Sequence, residues 1–204
     1  MTQRAAFAAG FDVSRETMTA FDSYAALLGE WQLRTNLVGP STLPVIWERH
    51  FADSAQLLAL AGPGQSWLDI GAGAGFPGIV IALLDPTARL TLVESIGKKC
   101  CFLAEVTTAL GLENRVTIKN RRVETLPRQK FDIVTARALA SLDQLFEWGL
   151  PHAGCGTRWL LPKGVRVEAE LTIAIERFAL DYALVPSRTN DAARIVVASG
   201  VKRR

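Results

Sequence analysis

From Ser66 onward, short apolar runs alternate with longer segments of helical periodicity, and this alternation restricts the fold more than any other feature of the chain. The runs "SWLDIG" (66–71), "LTLVES" (90–95), "RVTIKN" (115–120), "FDIVTARA" (131–138) and "TRWLLPK" (157–163) read as strands. Between them "FPGIVIALL", "KKCCFLAEVTTALGL" and "SLDQLFEWGL" read as helices, and "VRVEAELTIAIERFAL" follows the fifth strand as another. Such alternation predicts a mostly parallel, doubly wound α/β sheet of the Rossmann-like kind, with its ligand at the carboxyl ends of the strands. The last two strands, "YALVPSR" and "RIVVAS", are joined only by "TNDAA". They therefore form a hairpin, which makes the last of seven strands antiparallel.

The first third of the chain is different. In residues 14–61 the apolar positions Phe21, Tyr24, Ala25, Leu28 and Trp31 recur at three- and four-residue spacing; "VGPST" interrupts the pattern, which then resumes until Gly62, Pro63 and Gly64 end it. We read residues 1–64 as a helical N-terminal extension and 65–204 as the α/β domain. Trp31, Trp47 and Trp148 fall on apolar stripes and are expected in the core. With 204 residues and no apolar run near the ~20 residues of a membrane helix, the chain is expected to be soluble, cytoplasmic, monomeric and independent of membranes. Three cysteines, two of them adjacent at Cys100 and Cys101, make no disulfide framework and no zinc spacing, so no metal is expected.

The loop "WLDIGAGAGFPG" (67–78) follows the first strand of this domain. Its glycines require a tight turn and a close backbone approach to a ligand, but they match a dinucleotide fingerprint only in a shifted register, and "GFPG" stands where a phosphate loop would carry Lys. Asp69, two residues before Gly71, would repel a pyrophosphate and favour an ammonium or sulfonium, although it could instead hold the loop through backbone hydrogen bonds. Glu94 ends the second strand, where a carboxylate can accept both hydroxyls of a ribose, whether of NAD or of an adenosyl group. Gly71, Gly73 and Gly75 complete this candidate cofactor site. "RRVETLP", after the third strand, could supply an adenine-side contact, and the hairpin ending suits a methyltransferase sheet better than a dehydrogenase one.

The motifs "NLV", "RHFADS", "LDIGAGAGFPGI", "LVESIGKKCCFL", "LGLENRV", "RRVE", "FDIVTARALASL" and "LLPKG", in this order and spacing, resemble the RsmG (GidB) family. The likeness runs from about Trp31 to the C-terminus. It implies a class I methyltransferase dependent on S-adenosylmethionine, acting on N7 of guanine 527 in 16S ribosomal RNA. It further implies cofactor contacts at Gly71, Phe76, Val123, Glu124 and Arg137. The chain departs from the family in having Glu94 where Asp is common and Ala136 where Ser is common, and the first change keeps a carboxylate.

Guanine N7 offers an in-plane lone pair, so its methylation needs neither a base to remove a proton nor a cysteine nucleophile. No Asn-Pro-Pro-Tyr-like loop follows the fourth strand, and Cys155 lacks the neighbours of a cytosine-C5 nucleophile. Arg137, after the fourth strand, is the candidate catalytic residue; it could hold a carboxylate, a phosphate or guanine O6, or form a structural ion pair with Asp69 or Glu124. Lys98, Arg121, Arg122, Arg137, Lys163 and Arg166 form a candidate basic rim for the RNA of the small ribosomal subunit, with Arg49, His50 and Asp53 as a second patch. A small-molecule methyltransferase, an NAD-dependent oxidoreductase and a non-catalytic ribosome-assembly factor stay open beside this reading.

Overall fold

The computed structural model describes residues 1–204. Helix α1 (Gln3–Gly10) starts at Thr2, whose side chain accepts the Ala5 N–H, and α2 (Arg15–Gln32) starts at Ser14, which accepts the Thr17 N–H, both at 3.2 Å. These caps satisfy amide donors that the first helical turn leaves without partners. Along α2, Met18, Phe21, Tyr24 and Leu28 are buried, while Ala25 and Trp31 at the edge of the stripe are half-buried. The segment in which the helical pattern resumes is wound in pieces: a 3-10 turn (Pro40–Val45), a π turn (Trp47–Ala52), α3 (Asp53–Ala55) and α4 (Leu58–Ala61). Pro44 inside the first piece has no N–H to continue an α ladder, and Gly62, at φ +78°, ends the last.

The sheet has the order β3-β2-β1-β4-β5-β7-β6. Strands β1 (Ser66–Ile70), β2 (Arg89–Glu94), β3 (Val116–Asn120), β4 (Phe131–Thr135) and β5 (Ala153–Lys163) are parallel; β6 (Phe178–Pro186) and β7 (Arg194–Arg203) close the sheet as a hairpin with β7 antiparallel to both neighbours. Helices α5 (Gly78–Leu84), α6 (Gly97–Ala109), α7 (Leu142–Gly149) and α8 (Val167–Arg177) fill the connections. The fold is thus the expected Rossmann-like methyltransferase sheet. Several edges moved, most of all these: β4 stops before Arg137, β5 begins four residues earlier than "TRWLLPK", "FAL" (178–180) is strand rather than helix end, and β7 runs on to Arg203. Antiparallel pairing such as Phe178 with Arg203 draws that last segment, and most of the basic "VKRR" tail, into the sheet.

Alternate residues of each strand feed two cores. Trp67, Ile133, Leu160 and Ile195 face a cluster that also holds Phe7, Phe21, Tyr24, Leu28, Phe51, Ile79 and Phe102. Their neighbours Leu68, Val134, Trp159, Leu161 and Val196 face the other cluster, with Leu142, Phe146 and Phe178. The first core runs without a break across the 64/65 boundary, so the extension is packed into the α/β domain. The fully buried indoles are Trp67 and Trp159; Trp31, Trp47 and Trp148 are only half-buried against these cores. No helix is long and apolar enough to cross a membrane.

Candidate functional site

Strand order reverses between β1 and β4, where the connections after the two strands leave on opposite sides, and a cleft of about 610 Å³ opens there at the carboxyl ends. Its floor is the loop after β1. Gly71, at φ +72°, has the Leu139 side chain so close that a Cβ would lie 2.7 Å from it. Gly75, at φ +89°, does not line the cleft; it faces inward, where a Cβ would come within 2.7 Å of the Tyr24 hydroxyl. Those positions demand glycine on two counts, the backbone region and the room. The fully buried Tyr24 donates its hydroxyl to the Ala74 carbonyl at 2.5 Å, so α2 of the extension anchors the loop from beneath.

Asp69 lies under this loop and does not line the cleft. Its Oδ2 accepts the Gly78 N–H at 3.0 Å, while Oδ1 is buried without a partner. Burial pushes its pKa up to about 7, against the lowering effect of the Gly78 hydrogen bond and of Arg137. The residue is thus the loop-holding acid that was the alternative reading of its position. Glu94 does face the cleft: Oε2 accepts the Gly73 N–H at 3.0 Å and Oε1 the Ile96 N–H at 2.8 Å. Each oxygen keeps a second lone pair, enough to accept two hydroxyls.

Arg137 follows β4, just before a turn with Ala138 at φ +53°. Its Nη1 donates to the Arg49 carbonyl at 3.1 Å and to Asp53 Oδ2 at 3.2 Å, and its Nη2 to His50 Nδ1 at 2.8 Å. The ion-pair partner is therefore Asp53, not Asp69 or Glu124. His50 accepts at Nδ1, so its proton sits on Nε2, which donates to Thr42 Oγ1 at 2.8 Å, and the Thr42 hydroxyl in turn donates a hydrogen bond to the Gly39 carbonyl at 2.7 Å. Burial, then the charges of Arg137 and Arg49, hold the imidazole pKa down to about 3. Phe76 is sandwiched here: its ring stacks on His50 with centroids 4.8 Å apart and on Tyr24 at 5.4 Å, and the Arg137 guanidinium carbon lies 4.9 Å from its centre.

The other candidates divide by position. Gly71, Gly73, Phe76, Glu94, Val123, Glu124, Arg137, Arg121, Arg122 and Arg49 all line the cleft. His50 lines it too but is buried and fully engaged, so it is not an exposed RNA contact as expected. Lys98 does not line the cleft; its neighbour Lys99, in the first turn of α6, lines it in its place. Lys163 reaches the rim but is bound to Glu170 at 2.6 Å and to the Ala140 carbonyl at 2.6 Å, so it holds the loop after β4. Arg166 borders a neighbouring groove. Cys155 is exposed within β5 and does not line the cleft. Tyr24, Thr42, Lys99, Leu139 and Thr189 belong to the site and were not foreseen; only the polar tip of Tyr24 on an otherwise apolar stripe could have hinted at one of them.

The family model for rRNA small subunit methyltransferase G (GidB) matches residues 17–193. The chain belongs to this family. Ribosomal RNA small subunit methyltransferase G of Methylorubrum populi is 45% identical over 197 residues, covering 94% of this chain and 92% of its own length. The enzyme of that name in Hyphomonas neptunium is 40% identical over 201 residues, with 98% and 96% covered. Among solved structures, a putative S-adenosyl-L-methionine-dependent methyltransferase from Methanococcus maripaludis has a TM-score of 0.63 at 12% identity, covering 76% of this chain and 86% of that one. A methyltransferase dependent on the same cofactor, from Aquifex aeolicus, has a TM-score of 0.59 at 17% identity, with 80% and 94% covered. These two carry the fold alone. The chain is thus an S-adenosylmethionine-dependent rRNA methyltransferase of the RsmG (GidB) family, and the oxidoreductase, small-molecule and non-catalytic readings fall away.

Proposed function

We propose that this enzyme methylates N7 of a guanine in 16S ribosomal RNA, at position 527 by its resemblance to the family. The observation that carries the N7 reading is the state of His50. It is the imidazole of the cleft, and both of its nitrogens are committed, Nδ1 to Arg137 and Nε2 to Thr42. A ring held in this way cannot collect a proton from an amine. A nucleophile that brings its own lone pair asks for no such service, only for position and a shielded site.

S-adenosylmethionine would be held through the free lone pairs of Glu94, which suit the ribose hydroxyls, against the glycine loop where Gly71 and Gly73 line the cleft. Val123 and Glu124, on the turn after β3, line the cleft and would take the adenine side. When bound, the cofactor would supply a methyl group on a sulfonium: its S–CH3 bond would break as the N7–CH3 bond forms, leaving a neutral thioether and placing the positive charge on the base. Arg137 cannot use the usual two-pronged contact to guanine O6 and N7, because that contact would occupy the lone pair that must react. Its unused donors, Nε–H and one Nη2–H, are instead suited to the cofactor carboxylate or to O6 alone. Arg49, Lys99, Arg121 and Arg122 supply positive charge at the mouth, where RNA phosphates would be held while the base is unstacked.

The test is to incubate the protein with labelled cofactor and small ribosomal subunits, free 16S RNA or a tRNA pool, and to map the label by N7-specific strand scission. Label at a guanine N7 of the small-subunit RNA is expected. Label on an exocyclic amine, or in the tRNA alone, would overturn the reading. Arg137→Ala is expected to lower kcat/KM by ~10²-fold or more.

A further inference from the structure

We propose that Asp53 of the extension is a positioning residue for methyl transfer, acting through Arg137, and that the β6–β7 connection braces it through Thr189. The inference rests on the reading of Arg137 given above. An arginine side chain has many rotamers to lose, so a guanidinium at a reacting centre needs an external frame. Here that frame comes from one short stretch: the π turn and α3 turn three groups, the Arg49 carbonyl, His50 Nδ1 and Asp53 Oδ2, toward the same guanidinium. Three of its five N–H groups are thereby engaged.

Asp53 is itself held from outside. Its second oxygen, Oδ1, accepts the Thr189 hydroxyl at 3.0 Å and the Gln56 amide at 3.1 Å. Gln56 grips the same connection, accepting the Arg188 N–H at 2.9 Å and donating to Ser187 Oγ at 3.3 Å. Three well-separated parts of the chain are thus joined around one guanidinium: residues 42–56, with Thr42 acting through His50, the loop after β4, and residues 187–189, acting through Asp53. The side chains of the Arg137–Asp53 pair are only 14% and 7% exposed. A pair buried to that degree seldom adds stability over apolar residues of the same volume, which leaves orientation as its use. Asp53 also offsets the charge of Arg137 where burial opposes it.

The test uses the full-length enzyme, with kcat and KM on small ribosomal subunits and S-adenosylhomocysteine affinity by calorimetry. Asp53→Ala is expected to lower kcat by ~10²-fold, the scale of loss when a reacting group is misplaced by about an ångström. The double variant D53A/R137A should be no slower than R137A, and its ligand affinity no weaker, since the two residues act as one unit. Asp53→Asn, which keeps an oxygen for the guanidinium, should recover at least about tenfold over D53A. Thr189→Val leaves the pair intact and removes only the brace; it should cost about three- to tenfold in kcat, and nothing further in the R137A background. Losses that multiply in the double variants, or a D53A rate within about twofold of the parent, would overturn the proposal. Should D53A fail to fold, T189V decides, and an unchanged kcat there overturns it. A fully active R137A would sink the reading of Arg137 instead, whereas an inactive R137A beside an active D53A would sink this inference alone.

Discussion

Asp69 and Glu94 lie at the carboxyl ends of two adjacent strands, and a difference in access to the cleft gives them different chemistry. Glu94 borders the cleft and keeps lone pairs for a ligand, while Asp69 is sealed beneath the loop and holds it to Gly78. The pKa of Asp69 in the folded chain, about 7, exceeds the ordinary 3.8 of an unfolded one. Folding therefore takes up a proton between those values, and stability falls as pH rises from about 4 to about 7. Asp69→Asn removes that contribution. Urea unfolding across this window should show the parent losing stability relative to the variant, and parallel curves would refute the linkage. His50 is the opposite case: its pKa of about 3 keeps it neutral in the range where enzymes of this kind are assayed, so a step in the pH–rate profile near 6.5 should not trace to it.

Among the elements, α2 and the turn after β3 each carry more than their own geometry. Helix α2 reaches the glycine loop after β1 through one hydroxyl, that of Tyr24, which burial keeps protonated and donating. Tyr24→Phe leaves the Ala74 carbonyl without this donor and is expected to cost ~1–2 kcal/mol of stability, with several-fold weaker S-adenosylhomocysteine binding. Thermal unfolding with and without the ligand measures both, and an unchanged affinity would show that the anchor is dispensable to the loop. The turn after β3 holds Arg121 and Arg122 exposed at the cleft mouth. Replacing both with Ala should flatten the dependence of log affinity for single-stranded small-subunit RNA on log salt by about 1.4, at ~0.7 per phosphate contact, while cofactor affinity stays put. An unaltered salt slope would remove these two residues from the RNA path.

At the scale of the whole molecule, the extension and the sheet share one core, since Phe7, Phe21, Phe51, Ile79 and Phe102 lie in a single cluster. A chain beginning at Gln65 would expose Phe76, Ile79 and Phe102 and lose the Tyr24, His50 and Asp53 contacts together. It is expected to lack a sharp thermal transition and to show weak near-ultraviolet circular dichroism. A cooperative, cofactor-binding fragment would show instead that the α/β part folds alone.

The strand and helix alternation from Ser66, the hairpin that reverses the last strand, and the Glu94 position were all legible in the sequence, because period, turn composition and strand-end placement are local properties. So were the cleft-lining Gly71, Gly73 and Arg137. What only the tertiary structure decided is how these groups are used. The sequence puts Asp69 next to the glycines, but burial under the loop, a property of the packed layers, turns it inward. It places Arg137 after a strand, but its partner Asp53 lies 84 positions away and the brace at Thr189 lies 136 positions beyond Asp53. Nor does any helical period mark the π turn that presents the Arg49 carbonyl and the His50 ring, since that winding is set by what the segment packs against. Local pattern determined the frame and the chemistry on offer. Long-range packing decided which charges stay neutral, which are paired, and which face the mouth of the cleft.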